Sequence, residues 1–181
     1  PTAGACGVLP AVLVPYFQKR CRNTDKILKA MYVAAGIGQI IATRSSISGA
    51  AGGCQAEIGS ASSMAAGALT YLQGGNCEQI ATAAAMAMKN LLGLVCEPVA
   101  GLVEVPCVKR NVIGTVNAMA CADMAMAGIV SRIPPDQVMD AMKEVGDKMD
   151  ASLRETALGG LARTEEGVKI AEKMHASQEN W

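Results

Sequence analysis

Residues 90–111 read Asn90-Leu91-Leu92-Gly93-Leu94-Val95-Cys96-Glu97-Pro98-Val99-Ala100-Gly101-Leu102-Val103-Glu104-Val105-Pro106-Cys107-Val108-Lys109-Arg110-Asn111. The stretch carries two prolines and two glycines and separates two apolar, Ala/Met-rich segments with helical patterning. Proline removes a backbone donor and breaks helical hydrogen bonding. Cys96 and Cys107 each lie within two residues of a proline, so both belong where the backbone is irregular and side chains converge. A loop between helices that brings two thiols and a Lys-Arg pair is a candidate for chemistry rather than packing.

On its N-terminal side, Asn76 and Gln79 have the spacing of a capping box, and a helix follows through about residue 89. On its C-terminal side, residues 111–130 hold one charge, Asp123. A membrane span prefers a stronger Leu/Ile/Phe run, so this segment reads as a buried central helix of a bundle. Ile133-Pro134-Pro135-Asp136 breaks the chain, and Val138, Met142, Val145 and Met149 then mark an amphipathic helix. Leu158-Gly159-Gly160-Leu161 is a turn, 164–174 a short charged helix, and the tail ends at Trp181.

Farther upstream, residues 45–59 form a Ser/Gly-rich loop entering a helix that ends near Gly74-Gly75. Cys54 falls near that helix start, where backbone N–H groups and the dipole favour a thiolate. Thr24 has the character of an N-cap for a helix through about residue 44, with Ile27, Met31, Ala34, Ile37 and Ile41 on its apolar face. Residues 8–17 read as helical, with Pro10 near the first turn and Pro15 a kink or end. No segment shows strand alternation.

The 181 residues suffice for one domain with a sizeable core. Hydrophobic residues make up 51% but aromatics only 3%, so Ala, Gly and Met carry the apolar content. Small residues let helices approach closely and Met fills irregular gaps. The expected fold is all-α, a compact bundle of buried Ala/Met/Gly-rich helices with Cys-bearing loops. Net charge is zero, with no nucleic-acid footprint and no polybasic membrane anchor. Seven cysteines in no compact secreted framework, with no signal peptide pattern, fit a reducing cytoplasm. The chain opens on Pro1 and is only 18% charged, against a usual quarter or so (about 25%). Both features suggest a piece of a longer protein, with exposed apolar patches, self-association as a homo-oligomer, or both.

Thiolates at irregular loops are how proteins hold iron–sulfur clusters or zinc. Spacing alone favours buried structural cysteines over a metal site at Cys54, Cys96 and Cys107. Cys21, Cys77 and Cys121 lie in or beside helical patterns and read as packing; Cys6 is undecided. Arg110 can bind a carboxylate bidentately. Lys109 reads as an exposed helix end, and His175, the only histidine, as an exposed tail residue. Glu57, Glu97 and Glu104 are possible bases, and the catalytic group is left open.

The combination of Ser46-Ile47-Ser48-Gly49-Ala50 with Gly53-Cys54-Gln55, Gly93 through Gly101, and Val105-Pro106-Cys107-Val108-Lys109-Arg110-Asn111 resembles the α chain of iron–sulfur L-serine dehydratase. Pro1-Thr2-Ala3-Gly4-Ala5-Cys6-Gly7 and Arg154-Glu155-Thr156 with Gly159-Gly160-Leu161-Ala162 match as well, so the similarity covers most of the chain. The resemblance implies one helical catalytic domain over residues 1–181, the C-terminal part of the α chain. An upstream segment and a β domain or subunit would complete it. It implies a [4Fe–4S] cluster on Cys54, Cys96 and Cys107, with the fourth iron a Lewis acid on the hydroxyl of L-serine, which ends as pyruvate and ammonia. No pyridoxal phosphate is needed. Thr2, Gly4, Ser46, Ser48 and Gly49 are expected beside Arg110 around the substrate, since Gly-rich backbone and hydroxyls suit a carboxylate.

Two departures from the family pattern are visible. Asn90-Leu91-Leu92-Gly93 stands where part of the family has His-Asn-Leu-Gly, and the chain ends in Asn180-Trp181 where some members end near a cysteine. The rivals are a related cluster-dependent lyase, such as an L-cysteine desulfidase, and a non-catalytic helical interaction module with buried thiols.

Overall fold

The computed structural model describes residues 1–178, so Asn180-Trp181 lie outside the described residues. Among the described residues there are seven α-helices: α1 (Val8–Tyr16), α2 (Thr24–Arg44), α3 (Gly49–Leu72), α4 (Cys77–Lys89), α5 (Cys107–Met126), α6 (Pro135–Lys148) and α7 (Glu165–Gln178). Among the described residues there is no strand, only an isolated parallel bridge between Cys96 and Arg154. The fold is all-α, and none of these helices is long and apolar enough to cross a membrane.

The expected breaks occur where local chemistry demands them. Asn76 and Gln79 form a reciprocal cap at the start of α4: Gln79 N–H donates to Asn76 Oδ1 at 2.9 Å and Asn76 N–H to Gln79 Oε1 at 3.0 Å. Such a cap is worth about 0.5–2 kcal/mol. Pro135 starts α6, where its missing N–H costs nothing. The cap of α2 is Asn23 rather than Thr24, its Oδ1 accepting from Lys26 N–H at 3.0 Å. Pro15 lies inside α1, and a π-helical turn, Phe17–Cys21, follows it.

The buried centre is α3, whereas α5 was expected to fill that place. From Gly52 to Thr70 every residue of α3 is buried, against α1, α2, α4, α5 and α6. Its run of Gly, Ala and Ser has no bulk to hold neighbours away, so other backbones close on it from all sides. Two of its buried hydroxyls are satisfied by those backbones: Ser62 donates to the Gly114 carbonyl and Ser63 to the Ala84 carbonyl, each at 2.8 Å. Such bonds are needed because an unpaired buried hydroxyl costs about 1–3 kcal/mol.

In contrast, α5 buries only one stripe, Cys107, Gly114, Ala118, Cys121, Ala122 and Ala125. It turns Val108, Val112, Ile113 and Val116 to solvent. Gly114 is where this stripe touches α3: a Cβ there would stand 2.6 Å from Ile58 Cγ2. Ile58 is fully buried and cannot move aside. Gly114→Ala is therefore expected to lower unfolding free energy by about 1–3 kcal/mol, the usual cost of overpacking. Thermal or urea denaturation measures it, and unchanged stability would contradict the close α3–α5 contact.

Candidate metal centre

Three features of chain geometry bring Cys54, Cys96 and Cys107 together. α3 is not continuous. It breaks at Gly52 (φ −136°, ψ 15°) and Gly53 (φ 75°, ψ 179°), so Cys54 opens its long straight part. The positive φ and the crowding at Gly53 both require glycine, since a Cβ would stand 2.9 Å from the Leu94 carbonyl. Cys107 is the first residue of α5. Cys96 lies in the loop between α4 and α5, held by the bridge: its N–H donates to Leu153 O, and Glu155 N–H donates to its carbonyl, both at 2.8 Å.

Gln55 fastens this loop to two helices. Its N–H donates to Leu94 O at 2.9 Å, its Oε1 accepts from Gly93 N–H at 2.9 Å, and its Nε2 donates to Met142 O at 3.0 Å. The result is three buried sulfurs within 4.8 Å of one another, a group of ligand atoms able to hold a metal ion. Among the described residues the group contains no fourth ligand.

Three thiols this close cannot ionise independently, and the negative charge gathers on one of them. Cys107 is lowered to about 3, first because Cys54 and Cys96 donate to it, with help from the Arg110 charge and against burial. Its place at a helix N-terminus acts in the same direction. Cys54 is pushed up to about 12, chiefly by donating to Cys107, 3.9 Å away, with burial adding to the effect. Cys96 is pushed well above the thiol range by its bonds to Cys107 and Cys54. One thiolate braced by two thiols suits a soft metal or an iron–sulfur cluster, whose binding releases the remaining protons.

Arg110 stands beside the sulfurs with both terminal nitrogens engaged. Nη1 donates to Val95 O at 2.8 Å and contacts Cys54 Sγ at 3.9 Å, and Nη2 pairs with Glu97 Oε1 at 2.6 Å. Burial works against its charge, yet Glu97 and Cys54 outweigh it and raise its pKa above the ordinary value. Glu97 Oε2 accepts from Leu161 N–H at 2.6 Å, tying the turn after Gly160 to the site. Removing one partner of such a shielded pair costs about 3–5 kcal/mol.

Of the residues expected around a substrate, Gly49 stands against a sulfur, and Thr2, Ser46 and Ser48 are bonded within or onto the loop that precedes it. Thr2 Oγ1 donates to Ile47 O at 2.7 Å, fixing the N-terminal segment on the 46–49 loop. Ser48 precedes α3 and its N–H donates to Ser46 Oγ at 3.2 Å. Gly49 is flanked by the site itself: a Cβ there would lie 3.0 Å from Glu57 Oε2, 3.3 Å from Cys96 Sγ and 3.4 Å from Glu155 Oε2. Gly4 packs on Asn111, its ideal Cβ position 2.9 Å from Nδ2. Ser46 also lines a separate cavity of about 310 Å³ against Met142, Lys143 and Asp147 of α6.

Of the three glutamates left open by sequence, Glu104 is exposed and Glu97 is paired with Arg110. Glu57 is buried one turn beyond Cys54. Burial raises its pKa, and the negative charge of Cys107 adds to this, while the Ala5 backbone N–H pulls the other way. In the sequence Glu155 stands out only as part of the Arg154-Glu155-Thr156 motif. Its position next to Gly49 depends on the Cys96–Arg154 bridge, a contact between distant segments that carries no local signal. Cys121 is buried elsewhere on α5, its thiol raised to about 11 by burial. Cys6 and Cys77 are exposed, as are Lys109 and His175.

The family model described as serine dehydratase alpha chain matches residues 1–162. The chain is 53% identical over 174 residues to a probable L-serine dehydratase, alpha chain, of Bacillus subtilis, covering 96% of this chain and 58% of that protein. It is 53% identical over 170 residues to a probable L-serine dehydratase, alpha chain, of Latilactobacillus sakei, covering 94% and 81%. Over 164 residues it is 46% identical to an L-serine dehydratase of Streptomyces coelicolor, covering 90% of this chain and 36% of the relative. The chain thus spans between about a third and four fifths of the length of these three relatives.

Proposed function

The chain belongs to the serine dehydratase alpha chain family, and from that premise we propose that it is the cluster-bearing part of an enzyme converting L-serine to pyruvate and ammonia. The observation that carries this reading is the convergence of three buried cysteines from three separate elements. Cys54, Cys96 and Cys107 would hold a [4Fe–4S] cluster, which when bound supplies an iron without a protein thiolate as a Lewis acid for the substrate hydroxyl. The donor set fits it: three soft ligands, shielded from solvent, with no fourth in the group.

The chain's own residues supply orientation and proton handling. The 46–49 loop and the N-terminal segment, joined through Thr2, offer hydroxyls and backbone N–H groups for the substrate carboxylate. Arg110 sets the Cys96 loop through Val95 and Glu97, and its charge offsets the thiolates. Glu57 is assigned to proton transfer at Oε2, because it is the buried carboxyl facing Gly49 beside Cys96. A base with a raised pKa is better matched to abstracting a proton near neutral pH. The partners under this reading are L-serine and a β subunit or domain.

Anaerobic reconstitution with iron and sulfide, followed by iron and acid-labile sulfide analysis, tests the reading. About four of each per chain, with serine turnover once the β part is added, is the expected result. Loss of sulfide from L-cysteine without serine dehydration would favour the desulfidase rival, and absence of iron uptake would favour a helical interaction module.

A further inference from the structure

The face of α5 turned away from α3 is apolar and uncovered. Val108, Val112, Ile113, Val116 and Met119 are between 47% and 61% exposed, and Val105, just before the helix, extends the patch. Contiguous apolar surface of this kind marks an interaction site.

The order of residues on this face is symmetric about Val116. Ile113 and Met119 lie three positions to either side of it, and Val112 and Ala120 four. Lys109 and Asp123 lie seven positions to either side, and both are exposed. Seven residues fall only about 20° short of two full turns, so Lys109, Val116 and Asp123 point nearly the same way. Arg110, the third charged residue of α5, is turned onto Glu97, Val95 and Cys54. Among the described residues the Lys109 ammonium has no partner, and the Asp123 carboxylate uses only Oδ1, which accepts from Gln73 Nε2 at 3.0 Å.

This pattern specifies its own occupant. When two identical helices lie antiparallel across a two-fold axis at Val116, each residue faces the one equally far on the other side. Lys109 meets the partner's Asp123 and Asp123 the partner's Lys109, at the two ends of a contact about 21 Å long. Ile113 meets the partner's Met119, and Ala120 leaves room for the partner's Val112. A parallel pair would set Lys109 on Lys109 and Asp123 on Asp123, and such like-charge contacts are costly. Complementary groups at equal distances from one axis are what an isologous contact requires.

We propose that this face of α5 is a two-fold interface with a second copy of the same chain, centred on Val116 and set antiparallel by reciprocal Lys109–Asp123 pairs. The apolar stripe supplies adhesion and the charge pairs fix orientation, since such pairs govern register more than affinity. The proposal is independent of the L-serine reading. It also bears on the metal centre: Val105 and Lys109 stand on either side of Cys107, so the second copy lies over the helix start that carries one of the three thiols.

The test is sedimentation velocity and light scattering on the anaerobically purified chain over a range of concentrations. Circular dichroism and melting temperature are recorded for each variant. The unsubstituted chain is expected to be a dimer with a dissociation constant of roughly micromolar order. Val116→Arg, which sets two guanidiniums on the axis, should give a folded monomer, because Val116 is exposed within each copy. Lys109→Glu and Asp123→Lys each place like charges at both ends and should raise the dissociation constant about a hundredfold or more. The double variant Lys109→Glu/Asp123→Lys re-forms both pairs and should dimerise as the unsubstituted chain does. Mixing the two single variants should give a heterodimer, since one copy then carries only negative and the other only positive charge on this face. Val116→Arg and the double variant decide the matter if a single variant does not fold. A monomer at every concentration overturns the proposal, including one that binds the β part through a surface that Val116→Arg destroys, which gives the face to that partner. A dimer that survives Val116→Arg also overturns it, as do single variants that fail to recombine on mixing.

Discussion

Replacing Cys54, Cys96 or Cys107 with serine, one at a time, is expected to abolish stable iron and sulfide retention and to lower serine turnover by about a thousandfold or more. The size follows from the several kcal/mol that a Lewis-acidic metal contributes, at about 1.4 kcal/mol per factor of ten. The three sulfurs act as one group, so the variants should fail alike, and a double variant should be little worse than a single one. Cys121→Ser is the matched control, since Cys121 is equally buried on α5 but outside the group. It should keep iron, sulfide and turnover. Iron analysis and anaerobic absorbance read the outcome, and a Cys107→Ser protein with full iron and sulfide would remove the basis of the assignment.

Glu57→Gln is expected to leave iron content intact and to lower kcat about 10²–10⁴-fold, the contribution typical of a positioned acid–base group. KM should move little, because the amide keeps the shape of the carboxyl while losing its ability to take a proton. Folding stability should hold or rise, since burial already penalises the charged form of Glu57. Steady-state kinetics on the complete enzyme, with iron content measured on the same sample, separates this from cluster loss. Unchanged kcat in Glu57→Gln would exclude Glu57 from proton transfer and direct attention to Glu155, which faces the same glycine.

Helical class was legible because it is a property of composition and local pattern. Gly, Ala and Met in place of aromatics leave close helix packing as the main way to bury apolar surface. The Asn76–Gln79 cap and the Pro134-Pro135 break are set within a few residues, and both stand where the sequence puts them. Which helix lies at the centre was not legible. The segment expected at the centre, 111–130, became most of α5, yet α5 exposes a valine-rich face, while α3 is buried because its small residues admit neighbours on every side. Hydropathy reports preference for burial, and close approach depends on side-chain size at the crossings.

The sulfur site divides in the same way. Cys54 and Cys107 are marked locally, one by the Gly52–Gly53 break before it and one by its place at a helix start. From spacing alone nothing links them to Cys96, and the family resemblance supplied that link. The distinction between Glu57, Glu97 and Glu104 was beyond local reading, because it depends on Arg110 claiming Glu97 across the loop.

The Cys96–Arg154 bridge also sets an order of events during synthesis. Cys54, Cys96 and Cys107 are all translated well before Leu153 and Glu155, the residues whose backbones hold Cys96 in place. A nascent chain that has delivered its three thiols but not residue 155 therefore lacks the clamp that orients the second of them. Gln55 and Arg110 can already hold the flanking Gly93, Leu94 and Val95 in this interval, but the backbone pair on Cys96 itself cannot yet form. Chain elongation proceeds at roughly 5–20 residues per second, so the length of this vulnerable period is governed by the ribosome rather than by the rate at which helices form.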